Sequence, residues 1–154
     1  MNKKFRILII VLMSLLFLFS IIFIFKNKTK NRQNLQRHLI VSAGNCRFTV
    51  EVADNFKSRK RGLSERNELC DNCGMFFSFL KTGMYGFWMK KMLFPIDLIW
   101  LRDDVIVGFK KNFSKNSKEI IYPPQKINRV LEINSGKIEK CNILIGDSLR
   151  INKK

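Results

Sequence analysis

The sequence predicts a mainly β fold, a compact β-sandwich or barrel-like domain with one or two short helices, preceded by a single apolar helix. Three observations point there. Short apolar runs of four to eight residues recur at close spacing from Cys46 to Ile151. Gly, Pro, Asn and Asp separate them, supplying turn chemistry. Helical periodicity is confined to short stretches, which leaves sheet as the way to bury an apolar content of 46%.

The chain has 154 residues, room for one ordinary domain and appendages. Residues 1–6 form a basic tail. Ile7 to Phe25 follows, 19 residues without a charge. As a helix it would be about 28 Å long, close to the roughly 30 Å hydrocarbon thickness of a bilayer. A cleaved signal peptide is the competing reading, but the run ends Ile24-Phe25-Lys26-Asn27-Lys28, without small residues at a cleavage site. An uncleaved membrane anchor is therefore expected over 7–25. Flanking charges pull against each other on orientation. Lys3, Lys4 and Arg6 precede the run, and Lys26, Lys28, Lys30, Arg32 and Arg37 follow it. The basic start directly before the apolar run is the ordinary export layout, and it places the domain on the extracytoplasmic side. Residues 26–37 lack hydrophobic periodicity and read as a solvated basic linker.

The β-rich domain spans 38–154. Cys46 to Val52 alternates, with Phe48, Val50 and Val52 on one face of a half-buried strand. Asp54 or Asn55 is placed to cap a helix over Phe56–Arg61 that Gly62 stops. Strands are expected at Phe76 to Leu80, Gly86 to Lys91, Ile96 to Arg102 and Val105 to Lys110, with turns at Gly83, Pro95 and Asp103-Asp104. A strand at Arg129 to Ile133, one helical turn from Lys137 to Cys141, and a last strand after Gly146-Asp147 complete the domain.

The formal charge of +17 is unevenly distributed. Residues 1–37 hold eight basic and no acidic residues, which leaves the domain at +9. Its charges fall in short pairs and triplets, such as Arg59-Lys60-Arg61 and Lys90-Lys91, rather than one stripe with stacking aromatics. Nucleic acid is therefore not an expected partner. A basic domain tethered to a membrane suits anionic lipid or polymer instead. A general Lys-, Asn- and Ile-rich composition accounts for the same charge without a partner.

Chemistry concentrates between Gly74 and Leu101, where Lys90, Lys91 and Asp97 interrupt a run of aromatics and methionines. A charge in such surroundings needs a partner or an exit to solvent. Lys90 and Asp97 flank the turn at Pro95, on strands expected to pair. One reading makes them the polar floor of an aromatic pocket walled by Phe87 and Trp88, with Arg61 and Glu132 nearby, for a small polar or carbohydrate ligand. The other makes them a buried ion pair that fixes strand register. An envelope partner could take the ligand's place; Asp97 with Glu132 as a carboxylate pair acting on an envelope polymer is a further alternative, and a structural interaction domain without a ligand is another. The single histidine, His38, stands at the linker boundary, so Ser–His, Cys–His and His-ligated metal chemistry are not supported. No catalytic residue, metal or cofactor is assigned.

Cys70-Asp71-Asn72-Cys73 lacks the strand-then-helix context of a thioredoxin-like pair, since Gly74 and a β run follow it. Zinc would have to recruit the isolated Cys46 and Cys141. A structural disulfide between Cys70 and Cys73 in an oxidising compartment is the simpler expectation.

Several segments in order resemble the bacterial and archaeal domain-of-unknown-function family 192. They are Val50-Glu51-Val52-Ala53, Arg61-Gly62-Leu63, Gly74 to Phe79, Phe87-Trp88-Met89-Lys90, Pro95 to Trp100, Val130 to Gly136, and Gly146-Asp147. The resemblance covers residues 46–151 and implies a small β-rich domain at the cell envelope, with no established reaction. Two positions depart from it: Ser64 stands where the family commonly has Met, and Lys91 where it commonly has Asn.

Overall fold

The computed structural model describes Met13, residues 16–23 and residues 38–152. Two units separate, Met1–Gln36 and Arg37–Lys154. In the first, residues 16–23 are helical and exposed. Most of the expected 7–25 anchor, together with the 1–6 tail and the 26–37 linker, lies outside the described residues. Among those described, no helix is long and apolar enough to cross a membrane.

The second unit is mainly β. Strands β1 (His38–Ala43), β2 (Cys46–Ala53), β3 (Cys73–Gly83), β5 (Ile96–Arg102), β6 (Val105–Phe113), β8 (Ile127–Asn134) and β9 (Arg150–Asn152) form one sheet in the order β6-β5-β8-β3-β2-β1-β9. Among the described strands only β2 and β3 pair in parallel, and the helix Phe56–Arg61 lies in the crossover between them. A second sheet pairs β4 (Phe87–Trp88) with β7 (Ile120–Ile121).

The large sheet does not pack against a second large one; its two ends meet. A bridge joins Val105, at the start of β6, to Ser148, just before β9. Ile106 N–H donates to Asp147 O, Gly146 N–H to Ile106 O, and Leu149 N–H to Asp104 O, at 2.9, 2.9 and 2.7 Å. This satisfies backbone groups that an open edge would leave for another chain. Of the two architectures expected, the barrel-like one describes this sheet.

Side-chain alternation then gives the sheet two apolar faces. One buries Phe48, Val50, Phe76, Ile99, Leu101, Leu131 and Ile133 with Ile138 and Ile143. The other buries Met75, Phe77, Leu98, Trp100 and Val130 beneath Leu63, Phe87, Met89 and Met92. The β1–β2 turn explains a glycine: Gly44 has φ +54°, and a Cβ there would come within 2.2 Å of Cys141 O. That close approach lets Asn45 N–H donate to Cys141 O at 2.8 Å.

The helix over Phe56–Arg61 forms as the sequence predicts. Asn55 caps it, accepting from Ser58 N–H while the Ser58 hydroxyl accepts from Asn55 N–H, and Gly62 closes it. The expected strand Gly86 to Lys91 shrinks to Phe87–Trp88, because Lys91 takes φ +61° and Met92 N–H turns back to Met89 O. β4 consequently leaves the main sheet, and the pairing expected to bring Lys90 beside Asp97 does not form.

Candidate functional site

On the second face, the closing turn of the capped helix, the loop at 62–64, β3 and β4 enclose a cavity of about 650 Å³. Leu63, Phe77, Phe87, Met92 and Ile96 give it apolar walls, and Glu132 reaches it from β8. Phe77 and Phe87 meet edge to face, centroids 5.7 Å apart. Farther out, Phe79 stacks on Tyr85 at 3.8 Å, and the Arg59 guanidinium lies 5.1 Å from the Phe79 centroid. Arg59 also donates to Ser78 O at 2.9 Å, which ties the helix to β3. The loop is held from the opposite side: the Ser64 hydroxyl donates to Lys90 O, Glu65 N–H donates to Lys91 O, and Glu65 pairs with Lys91 at 2.5 Å.

Strand register explains where Glu132 points. Glu51 of β2 faces Met75 of β3, Met75 faces Glu132 of β8, and Glu132 faces Leu98 of β5. The row thus carries two carboxylates with a methionine between them. Glu51 is satisfied by a two-pronged bond from Arg66, the first prong at 2.6 Å, and this holds its carboxyl below the usual range. Glu132 is 7% exposed, and its carboxyl has no hydrogen-bond partner among the described residues. Burial pushes its carboxyl up to about 8, against a smaller downward pull from the Arg66 charge. At neutral pH it is mostly the uncharged acid, a donor as well as an acceptor.

Gly62 also belongs to this site. Its φ is +52°, and a Cβ would stand 3.6 Å from Phe77 and 3.9 Å from Glu132 Oε2. Glycine leaves the carboxyl open to the cavity and permits the turn that brings the chain out of the helix.

The sequence-predicted site residues divide. Arg61, Trp88 and Glu132 line this one cavity, with Trp88 about half exposed. Lys90 is exposed and lines an adjoining hollow. Asp97 lies elsewhere. It is fully buried on the opposite face of β5, where Oδ1 accepts from Asn112 N–H and Oδ2 from Ile138 N–H, both at 2.8 Å. Ile138 is in the one-turn helix Lys137–Lys140, whose own N-cap, Gly136, has no side chain to offer. Asp97 supplies the missing acceptor from across the fold. The Lys90–Asp97 pair is therefore corrected to an exposed lysine and a buried capping aspartate. The Asp97–Glu132 pair is corrected as well, because carboxyls on opposite faces of a sheet cannot flank one bond.

Cys70 and Cys73 are bonded to each other, and so are Cys46 and Cys141, 95 residues apart. The second bond was not legible from spacing. Among the described residues no three His, Cys, Asp or Glu side chains gather as a metal site would require.

The comparisons agree with the segments that carried the resemblance. Residues 39–151 match domain-of-unknown-function family 192, described as uncharacterized ACR. The chain belongs to this family. No curated protein matches the chain. Among solved structures it is similar to a protein from Sinorhizobium meliloti 1021, provisionally named a transcription regulator, with TM-score 0.72 and 27% identity over 75% of this chain and 95% of that one. A protein of unknown function from Novosphingobium aromaticivorans DSM 12444 is similar at TM-score 0.68 and 26% identity, over 75% and 84% of the two chains.

Proposed function

We propose that this family 192 domain binds a small ligand in the aromatic cavity, with Glu132 as the ligand's polar anchor. The carrying observation is that carboxyl, 7% exposed and open to the cavity, with no hydrogen-bond partner among the described residues. Such a group opposes folding, and its natural partner is something that enters the cavity. The size and the mostly apolar lining suit a molecule with an apolar body and one hydrogen-bonding group better than a fully polar sugar. An enzyme built on Asp97 and Glu132 has lost its geometry. A purely structural domain leaves the Glu132 carboxyl without a purpose.

The reading includes a membrane anchor at 7–25 with the domain outside the cytoplasm. The uncharged N-terminal run supports it, as do two disulfides that use all four cysteines. Nucleic acid is not part of the reading, and the Sinorhizobium protein's provisional name is kept to that protein. The positive side chains here line hollows beside apolar walls rather than a stripe along one face.

Thermal shift with a panel of water-soluble compounds, each with an apolar body and one hydrogen-bonding group, tests the cavity. Saturable stabilisation that is lost in Glu132→Leu is expected. Equal shifts in both proteins, or none in either, would sink the reading.

A further inference from the structure

The cavity does not end at Trp88. A second hollow of about 920 Å³ adjoins it, and the two share Phe56, Lys60, Arg61, Ser64 and Trp88 as lining. Their characters differ. The first has aromatic and aliphatic walls around one acid, Glu132, and four cations, Arg59, Lys60, Arg61 and Lys81, also on its lining. The second is lined by Lys57, Lys60, Arg61, Lys90, Lys91 and Lys118 against one acid, Glu65, which Lys91 already neutralises. Among the described residues the other five cations have no ion-pair partner. Exposed Phe56, Trp88 and Ile120 stand among them, at 76%, 48% and 55% exposure. Adjoining hollows that both have apolar walls, with the cations more numerous in the second and an aromatic residue at the junction, are complementary to a molecule with an apolar body and an anionic head.

We propose that the ligand is an anionic amphiphile, its acyl or aryl body in the Phe77–Phe87 cavity and its carboxylate or phosphate head among Lys57, Lys60, Arg61 and Lys118. This rests on the cavity reading above and adds the ligand's class. The capped helix is central to it. It presents Lys57, Lys60 and Arg61 toward the hollow, with the last two in its closing turn. Glu132 lines the first hollow and not the second, so it stays clear of the anionic head and its hydrogen-bond partner is an acceptor on the body, such as an acyl carbonyl. The same head chemistry occurs in free amphiphiles and in membrane lipids, so the test separates the two sources.

Full-length protein in nanodiscs of phosphatidylcholine is titrated with hexyl phosphate, hexyl glucoside, hexyltrimethylammonium and inorganic phosphate. The readout is Trp88 emission in a Trp100→Phe background, with empty discs as blank. Hexyl phosphate is expected to shift the emission to the blue saturably, and the other three to bind at least tenfold more weakly. Replacing Lys57, Lys60 and Lys118 by Gln, all exposed, is expected to weaken hexyl phosphate about tenfold with the melting temperature unchanged. A second set of discs, made with phosphatidylglycerol and no added compound, identifies the source. A blue shift there assigns the head to membrane lipid, and its absence alongside a hexyl phosphate response assigns a free amphiphile; both support the proposal. Hexyl glucoside matching hexyl phosphate overturns the anionic head but leaves the cavity reading standing. Inorganic phosphate matching hexyl phosphate overturns the apolar body. No response to any compound overturns both readings.

Discussion

Asp97 and Glu132 lie on neighbouring strands, one residue out of register, and their side chains leave the sheet on opposite faces. Ile133 is the cross-strand partner of Asp97, and Leu98 that of Glu132. The two acids therefore do different work. Asp97 is satisfied by two backbone N–H groups and holds the end of β6 and the Lys137–Lys140 helix in place. Glu132 has no hydrogen-bond partner among the described residues and faces a cavity. Buried acids with and without partners differ in what their removal should do, and that difference is measurable.

Asp97→Asn should destabilise the domain by about 3 kcal/mol or more, because the amide turns an N–H donor toward one of the two backbone donors and leaves it unpaired. Lys90→Met should change stability by less than about 0.5 kcal/mol, as exposed positions without partners do. Urea unfolding of both variants checks this. A comparable loss in Lys90→Met would restore the coupling between the two residues that the geometry has removed.

The two disulfides should differ in weight. Cys46–Cys141 closes a loop of 95 residues and Cys70–Cys73 one of three. On the chain-entropy account the first contributes about 4–5 kcal/mol and the second about 2 kcal/mol. Cys141 is also fully buried, so its replacement disturbs packing. Denaturant midpoints of the two double-serine variants give the comparison. A larger loss for the Cys70/Cys73 variant would contradict it.

What could be read from the sequence follows from how local each cause is. The helix at Phe56–Arg61 was legible because its cap, its length and its stop are all within nine residues. The strand Cys46–Ala53 was legible because alternation is a two-residue signal. Lys90 and Asp97 were misplaced because their relation depends on which sheet β4 joins, and Ile120-Ile121, more than thirty residues downstream, decides that. Glu132 left a local trace, an acid in the run Val130-Leu131-Glu132-Ile133. That it faces Gly62 and Phe77 follows from the long-range register of four strands. The Cys46–Cys141 bond and the meeting of β6 with the approach to β9 are non-local in the same sense, and no spacing announces them.

For topology, the expected result is a C-terminal tag labelled by an impermeant reagent that has access to the outer surface of the cytoplasmic membrane. Mass spectrometry of the mature protein should find the 7–25 segment still attached. Labelling only after the membrane is opened would reverse the orientation, and a mature chain starting beyond Phe25 would replace the anchor by a cleaved signal.

Glu132 should leave its mark on the pH dependence of stability. Its carboxyl rises from an ordinary 4.5 to about 8 on folding, chiefly through burial. The folded protein thus holds the proton more tightly than the unfolded chain does. The stabilising contribution is complete below about pH 4.5 and is lost as pH rises through about 8. The charged groups arranged around it are Arg66 and Glu51, paired with each other, and Arg61 on the cavity lining. Glu132→Gln keeps the shape and removes the titration. Its melting temperature should match the native protein's near pH 4.5 and exceed it by roughly 5 °C or more at pH 8.5. A bound ligand that accepts a hydrogen bond from the protonated acid should narrow that gap, because it binds the protonated form preferentially. Parallel melting curves across this range would mean that Glu132 is already ionised and paired when folded, and the cavity would lose its anchor.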